Sequence, residues 1–160
     1  FWNGKPMVTD TVTVELRNST LPFALVDQTK EVVTRNGYAT YEFYTAPSGS
    51  YYIVIKHRNS LETWSAAPVI MNAAGNYNYD FTTSASMAFG SNEVLKTGIY
   101  CVYSGDVNLD GIIDASDLSS VENNVGNSGY LPEDVTGDDY VDAADIAIVE
   151  NNQGISVVSP

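Results

Sequence analysis

From residue 11 to about residue 103 the chain alternates apolar and polar positions with a period of two. In TVTVELRN (11–18), Val12, Val14 and Leu16 share one face, with threonines and charged residues on the other. FALVDQTKEVV (23–33) leads to Asn36-Gly37, a pair suited to the left-handed backbone of a tight hairpin turn. ATYEFYT (39–45) alternates again until APSGS (46–50) interrupts it. YYIVIKHR (51–58), ETWSAAPVI (62–70), YNYDFTT (77–83) and GIYCVY (98–103) complete the series. Seven such segments, with frequent turns and no helical period, predict a mainly β fold: a seven-stranded β-sandwich over residues 1–103.

After Ser104 the period changes. DVNLDGIIDASDLSSVENN (106–124) aligns with DVTGDDYVDAADIAIVENN (134–152), identical at ten of nineteen positions and offset by 28 residues. Each copy is an acidic stretch followed by a short helical pattern: Leu118, Val121 and Val125 in the first, Ile146, Ile148 and Val149 in the second. GNSGYLP (126–132) is punctuated by Gly and Pro, as a connection between helices is expected to be. The region 104–160 is therefore expected to be a small α domain ending in a short tail, GISVVSP.

The acidic stretch has the spacing of a twelve-residue cation loop. Asp106, Asn108 and Asp110 fall at places 1, 3 and 5, Gly111 at the turn, Ile112 at place 7, Asp114 at 9 and Asp117 at 12. An EF-hand loop supplies oxygens at these places, the seventh through its backbone carbonyl. Hard oxygen ligands without Cys or His select Ca²⁺ over zinc. In the second copy Asp134, Thr136, Asp138, Tyr140, Asp142 and Asp145 take the same places, giving two Ca²⁺ sites. Asp139 stands where the first loop has its glycine, so the second site is expected to bind more weakly. Ile113 is expected to point into a small core.

Tandem loops that end in Asp117 and Asp145, with no helix before the loop and a short one after, resemble a dockerin module over about 104–153. That resemblance implies a calcium-ordered domain and a cohesin-like protein partner. It departs from cellulosomal dockerins at loop places 10 and 11, here Ala115-Ser116 and Ala143-Ala144, and both helices lack Lys and Arg. PSGSYYIVIKH is similar to a strand of prealbumin-like and Cna-B-like sandwiches, an Ig-like architecture. Sandwich plus loops together look like C-terminal regions of secreted Bacteroidota-type proteins.

Charge sharpens this. The net charge is −13, yet residues 1–100 hold all seven Lys and Arg against eight acids, while 101–160 hold twelve acids and no base. Phosphate backbones and anionic lipid would repel such a chain, so nucleic acid and membrane surfaces are poor partners. No apolar run is long enough to span a bilayer. Four carboxylates in one loop repel one another without metal, so 104–153 is expected to order only where calcium is plentiful, in a secreted, extracellular or cell-surface setting. The chain opens on Phe1, as expected of a piece of a longer precursor. Cys101 has no partner for an internal disulfide; it reads as a small core residue or an intermolecular bridge.

Three function classes follow. Catalysis has least support: His57 reads as a surface residue, Glu15, Glu42 and Glu62 as strand-face charges, and no nucleophile or phosphate motif occurs. Sugar binding, as an appendage of a secreted glycoside hydrolase, would use Trp2, Trp64 and exposed tyrosines, and an exposed Trp64 would be its mark. Assembly is the favoured class: a non-enzymatic structural module held to a protein partner. The partner is a further copy of the chain, joined head to tail into a fibre by strand addition from FWNGKPM or ISVV, or else a cohesin-like domain. Asn18-Ser19-Thr20 matches a glycosylation acceptor at a turn.

Overall fold

Tyr51, Tyr52, Ile53 and Val54 are consecutive and all buried. A strand apolar on both sides has to lie inside a sheet covered on both faces. The computed structural model, which describes residues 10–34 and 36–160, places it there. The elements run β1 (Thr11–Asn18), β2 (Leu25–Val32), β3 (Gly49–His57), β4 (Ser60–Trp64), β5 (Val69–Met71), β6 (Val94–Lys96), β7 (Ile99–Cys101), α1 (Ala115–Asn124) and α2 (Ala143–Asn152). Two single 3-10 turns, Ala85–Met87 and Phe89–Ser91, precede β6. All strand pairs are antiparallel. β1 lies between β2 and β3, and the far edge of β3 carries β4 along one half and β5 along the other. β6 and β7 form a separate hairpin.

The two faces of β3 bury different clusters. Tyr51 and Ile53 join Val14 and Leu16 of β1, with Tyr41, Phe43, Tyr79 and Phe81 packed over them. Tyr52 and Val54 join Trp64, covered by Phe23, Phe89 and Val157. The fold is thus mainly β, with antiparallel sheets, two short helices and the two-sided burial of a β-sandwich. The covering layer differs from expectation. Segments 39–45 and 77–83, read as strands, form no ladder. Their alternating aromatics still reach the core, but their polar groups go elsewhere. The N–H groups of Thr45 and Ala46 donate to the Asp27 carboxylate, and the Tyr79 hydroxyl donates to the Met87 carbonyl.

The expected strand 62–70 is two strands. At the break, the Ser65 hydroxyl accepts the Ile53 N–H, and Pro68 has no N–H to offer a ladder. β6 was not expected; it pairs with β7 through Thr97-Gly98, both at positive φ, the backbone of a two-residue hairpin turn. Two other readings change here. Glu15 is buried rather than a free strand-face charge, paired with Arg17 at 2.6 Å and Lys56 at 3.0 Å. Lys56 also pairs with Glu62 at 2.9 Å, and these carboxylates hold its ammonium pKa up although burial works against it.

A third cluster lies beyond residue 104. Val107, Ile113, Val121, Val141 and Val149 are buried together, with Ile113 and Val141 matched by the 28-residue offset, as are Val121 and Val149. Ile113 is fully buried, as its place beside the loop ligands required. Leu61 of β4 is buried in the same cluster and Tyr103 packs against it, so the sheet contributes to the core of the helical region. No helix among the described residues is long and apolar enough to cross a membrane.

Candidate metal centre

Each helix begins at an aspartate. Asp114 is the N-cap of α1, accepting the Ser116 N–H at 2.7 Å, and Asp117 in the first turn accepts the Asp114 N–H at 2.9 Å. Asp142 and Asp145 repeat this on α2, at 2.7 Å from Ala144 and 2.8 Å from Asp142. These are reciprocal capping boxes. Loop places 9 and 12 are therefore also helix caps, a role the ligand spacing did not bring out. The Ser116 N–H and hydroxyl hold the Asp114 carboxyl below the usual carboxylate range.

Asp117 is fully buried, and its second role is to fold the loop back. It accepts the Val107 and Asn108 N–H groups at 2.9 and 3.2 Å. Asp145, also fully buried, accepts the Thr136 N–H at 2.8 Å. At the other end of the first loop, Asp106 accepts the N–H groups of Asp110 and Gly111 at 3.1 and 3.2 Å. Asp134 accepts those of Gly137, Asp138 and Asp139 at 2.8 to 3.1 Å. Each loop thus buries its first and last aspartates. Asn108, Asp110, Ile112, Asp114, Thr136, Asp138 and Tyr140 remain exposed and Asp142 half-buried. Burial pushes the Asp106 carboxyl up to about 6, with the Asp117 and Asp110 charges adding to it against the Gly111 N–H.

Both loops take left-handed backbone at places 4 and 6. In the first loop these are Leu109 (φ 59°) and Gly111 (φ 90°); in the second, Gly137 (φ 72°) and Asp139 (φ 75°). Each loop therefore has one glycine and one strained L-residue, in exchanged order. Asp139 alone does not rank the two loops, because Leu109 carries a comparable or larger cost in the first.

The loops are held as a pair. Ile112 bridges Ser156 and Tyr140 bridges Ser128, so each loop pairs with the segment that follows the other copy's helix. The hydrogen bonds repeat at the 28-residue offset. Ile113 donates to Ile155 and Gly154 to Ile113, while Val141 donates to Asn127 and Gly126 to Val141. The tail Ile155–Val157, read as a strand that a neighbour could accept, is engaged within its own chain. Its other supposed donor, FWNGKPM, lies outside the described residues, as does Trp2.

The donor chemistry fits a hard divalent cation: oxygen atoms only, at the spacing of a cation loop, on a backbone bent by left-handed residues. Among the described residues, no three Asp, Glu, His or Cys side chains are already gathered closely enough to grip a metal. The fit rests on donor type and loop conformation.

Other candidates resolve differently. His57 is partly buried, with Nε2 2.9 Å from Asp10, whose carboxylate also takes Arg58 Nε at 3.1 Å and the Tyr130 hydroxyl at 2.5 Å. Burial opposes ionisation of Asp10, yet the Tyr130 hydroxyl, His57 and the Thr11 N–H hold its pKa well below the usual carboxylate range. Trp64 is 5% exposed, edge-on to Phe23 and Tyr52, and donates to Glu62. It offers no sugar-stacking face. Cys101 is a free, partly buried thiol whose pKa burial raises. Missed by the sequence reading were Asn59, 1% exposed and in the tight β3–β4 connection, and Leu61 at the start of β4. Their signal was slight: an Asn-Ser turn pair before an apolar residue.

No protein-family model matches the sequence, and no curated protein matches it. Two solved chains share its fold. Both come from crystal structures of a type II Cohesin-X-Dockerin complex from Acetivibrio cellulolyticus, one an N-terminal and one a C-terminal interface mutant. Each gives a TM-score of 0.54, at 19% and 18% identity, and covers 92% of this chain and 83% of the solved one. With 92% covered and β7 ending at Cys101, the likeness runs past the sheet into the two-loop region.

Proposed function

We propose that this chain is a non-enzymatic, calcium-stabilised module for protein–protein assembly in a secreted or cell-surface bacterial protein. The observation that carries the reading is the reciprocal pairing of two loops with the same acidic spacing, hydrogen bond for hydrogen bond at an offset of 28 residues. Asp106, Asn108, Asp110, Asp114, Asp117 and the Ile112 carbonyl would hold one Ca²⁺. Asp134, Thr136, Asp138, Asp142, Asp145 and the Tyr140 carbonyl would hold the other. Bound calcium supplies positive charge that relieves carboxylate repulsion, so binding energy becomes folding energy for 104–153. The chain's own part is to bend each loop, bury its end carboxylates and cap the helix that follows.

A protein partner fits better than a sugar. The solved chains with this fold come from a cohesin–dockerin assembly, and Trp64 is buried. Of the two strand donors by which copies of the chain could join, the tail Ile155–Val157 is already paired internally, which weighs against its use.

Far-ultraviolet circular dichroism and calorimetric titration test the calcium reading. Two bound ions are expected, with the helical signal lost on chelation while the strand signal persists. Identical spectra with calcium and with chelator, and no heat of binding, would sink it. Sizing with calcium present separates the partners: a monomer supports the tether and a ladder of oligomers the fibre.

A further inference from the structure

The entries to the two loops are completed from different elements. In the first, the residue two before the first aspartate is Ser104, and its carbonyl accepts the Asn152 side chain of α2 at 2.7 Å. The 28-residue offset makes Pro132 the counterpart of Ser104, and Asn124 of α1 the counterpart of Asn152. The matching bond, Asn124 to the Pro132 carbonyl, is replaced. Asn124 turns instead to the Ser120 carbonyl at 2.9 Å and the Glu133 carboxylate at 3.2 Å, and the Ser120 hydroxyl donates to the same carboxylate at 3.0 Å. Sequence explains the diversion. Ser120 and Glu133 stand where the other copy has Ile148 and Gly105, which offer neither the hydroxyl nor the carboxylate.

The vacated place is filled from the sheet. Asn59 Nδ2, in the β3–β4 connection, donates to the Pro132 carbonyl and to the Asp134 carbonyl, both at 3.0 Å. Asn59 is 1% exposed. Beside it, Arg58 Nη1 donates to the Leu131 carbonyl, and the guanidinium lies over the Tyr130 ring at 4.5 Å. Among the hydrogen bonds of the described residues, Asn59 meets the first copy only through its backbone, whose carbonyl accepts the Gly105 N–H at 2.8 Å. Its side chain therefore serves the second copy alone, and one of its acceptors is the backbone of Asp134, the first ligand place of the second loop.

We propose that Asn59 is a positioning residue for the second loop, its side chain completing from the sheet an entry that α2 completes for the first, so that calcium affinity at the second loop depends on the Asn59 side chain and affinity at the first does not. The inference rests on the calcium reading above. Removing the amide leaves the buried Asp134 carbonyl and the Pro132 carbonyl without this donor, which is expected to weaken the second loop by about tenfold.

The test is a calcium titration of the full, ¹⁵N-labelled chain, read at the Gly111 amide for the first loop and the Asp139 amide for the second. Asn59→Ala is expected to weaken only the second, with the first unchanged to within about twofold. Glu133→Gly in that background frees Asn124 to reach Pro132 and is expected to recover part of the loss. Equal loss at both loops would make Asn59 a residue of the fold alone and overturn the proposal; an unchanged second loop would overturn it too. Should Asn59→Ala prevent folding, Asn59→Ser, which keeps a shorter donor, allows the same loop-against-loop comparison. Wild-type protein that binds two ions while the variant matches it refutes this inference only. Wild-type protein that binds none refutes the calcium reading and this inference together.

Discussion

Leu109 holds a left-handed conformation that L-residues with a bulky side chain rarely take, and it is exposed, so its side chain gains little there. Leu109→Gly is expected to stabilise the first loop by about 1 kcal/mol, tightening its calcium binding by about fivefold. Asp139→Gly should do the same for the second loop by a smaller amount, because Asp tolerates this backbone better. A site-resolved titration in which Leu109→Gly weakens the first loop would contradict this. Glu93 is a different kind of strain. Both of its carboxylate oxygens are buried without a hydrogen-bond partner, and burial, with Asp80 adding to it, raises its pKa to about 7. The unfolded chain ionises this carboxyl near 4.5. Stability is therefore full below about pH 4.5, declines as pH rises toward 7 and stays low above it. Glu93→Gln should remove that decline and leave the variant more stable than wild type at pH 8 by about 2 kcal/mol, with little difference at pH 4.5. Urea melts at the two pH values, with calcium saturating, decide it.

At the level of elements, the aspartates of each loop divide their labour. Asp114 caps α1 from an exposed position, while Asp117 sits inside, bonded to the backbone at both ends of the loop. Asp117→Ala is expected to cost about 3 kcal/mol, since it strands three N–H groups. Asp114→Ala should cost about 1 kcal/mol, the worth of a cap. Urea unfolding in calcium, followed by helical signal, gives the order, and equal costs would refute this division. The spacing of acids made the loops legible in the sequence, and the heptapeptides after them made the helices legible. The same spacing hid the capping boxes, because Asp-x-x-Asp serves a cation loop and a helix start equally well. Alternation likewise put Tyr41 with Phe43, and Tyr79 with Phe81, on one face of each segment without revealing that these segments form no ladder. Period two reports which side chains are buried; it does not report where the N–H groups go.

Across the whole molecule, the parts that sequence left dark are those where distant segments meet. Asn59 and Leu61 belong by pattern to a strand connection, yet one serves the second loop and the other the core between the helices. Nothing within a short window relates residue 59 to residue 134. The tail is similar: ISVV reads as a spare strand, and only the folded chain shows Ser156 against Ile112. The division of charge was legible and consequential. Arg17, Lys56 and Arg58 pair with Glu15, Glu62 and Asp10, acids of the same half of the chain.

Because each loop completes its ladder with the segment after the other copy's helix, the two halves are interchangeable between molecules. Two chains that exchanged the half beginning near Asp134 would form every one of these bonds again, across a dimer instead of within a monomer, with 130–133 as the hinge. Deleting two residues between Gly129 and Asp134, beyond the ladder, should prevent the half from folding back and convert monomer to exchanged dimer, read by light scattering on a sizing column. A shortened chain that stays monomeric would show the hinge has slack to spare. Duplication gave this region its two loops, and the way they are braced leaves it one linker away from being a dimer.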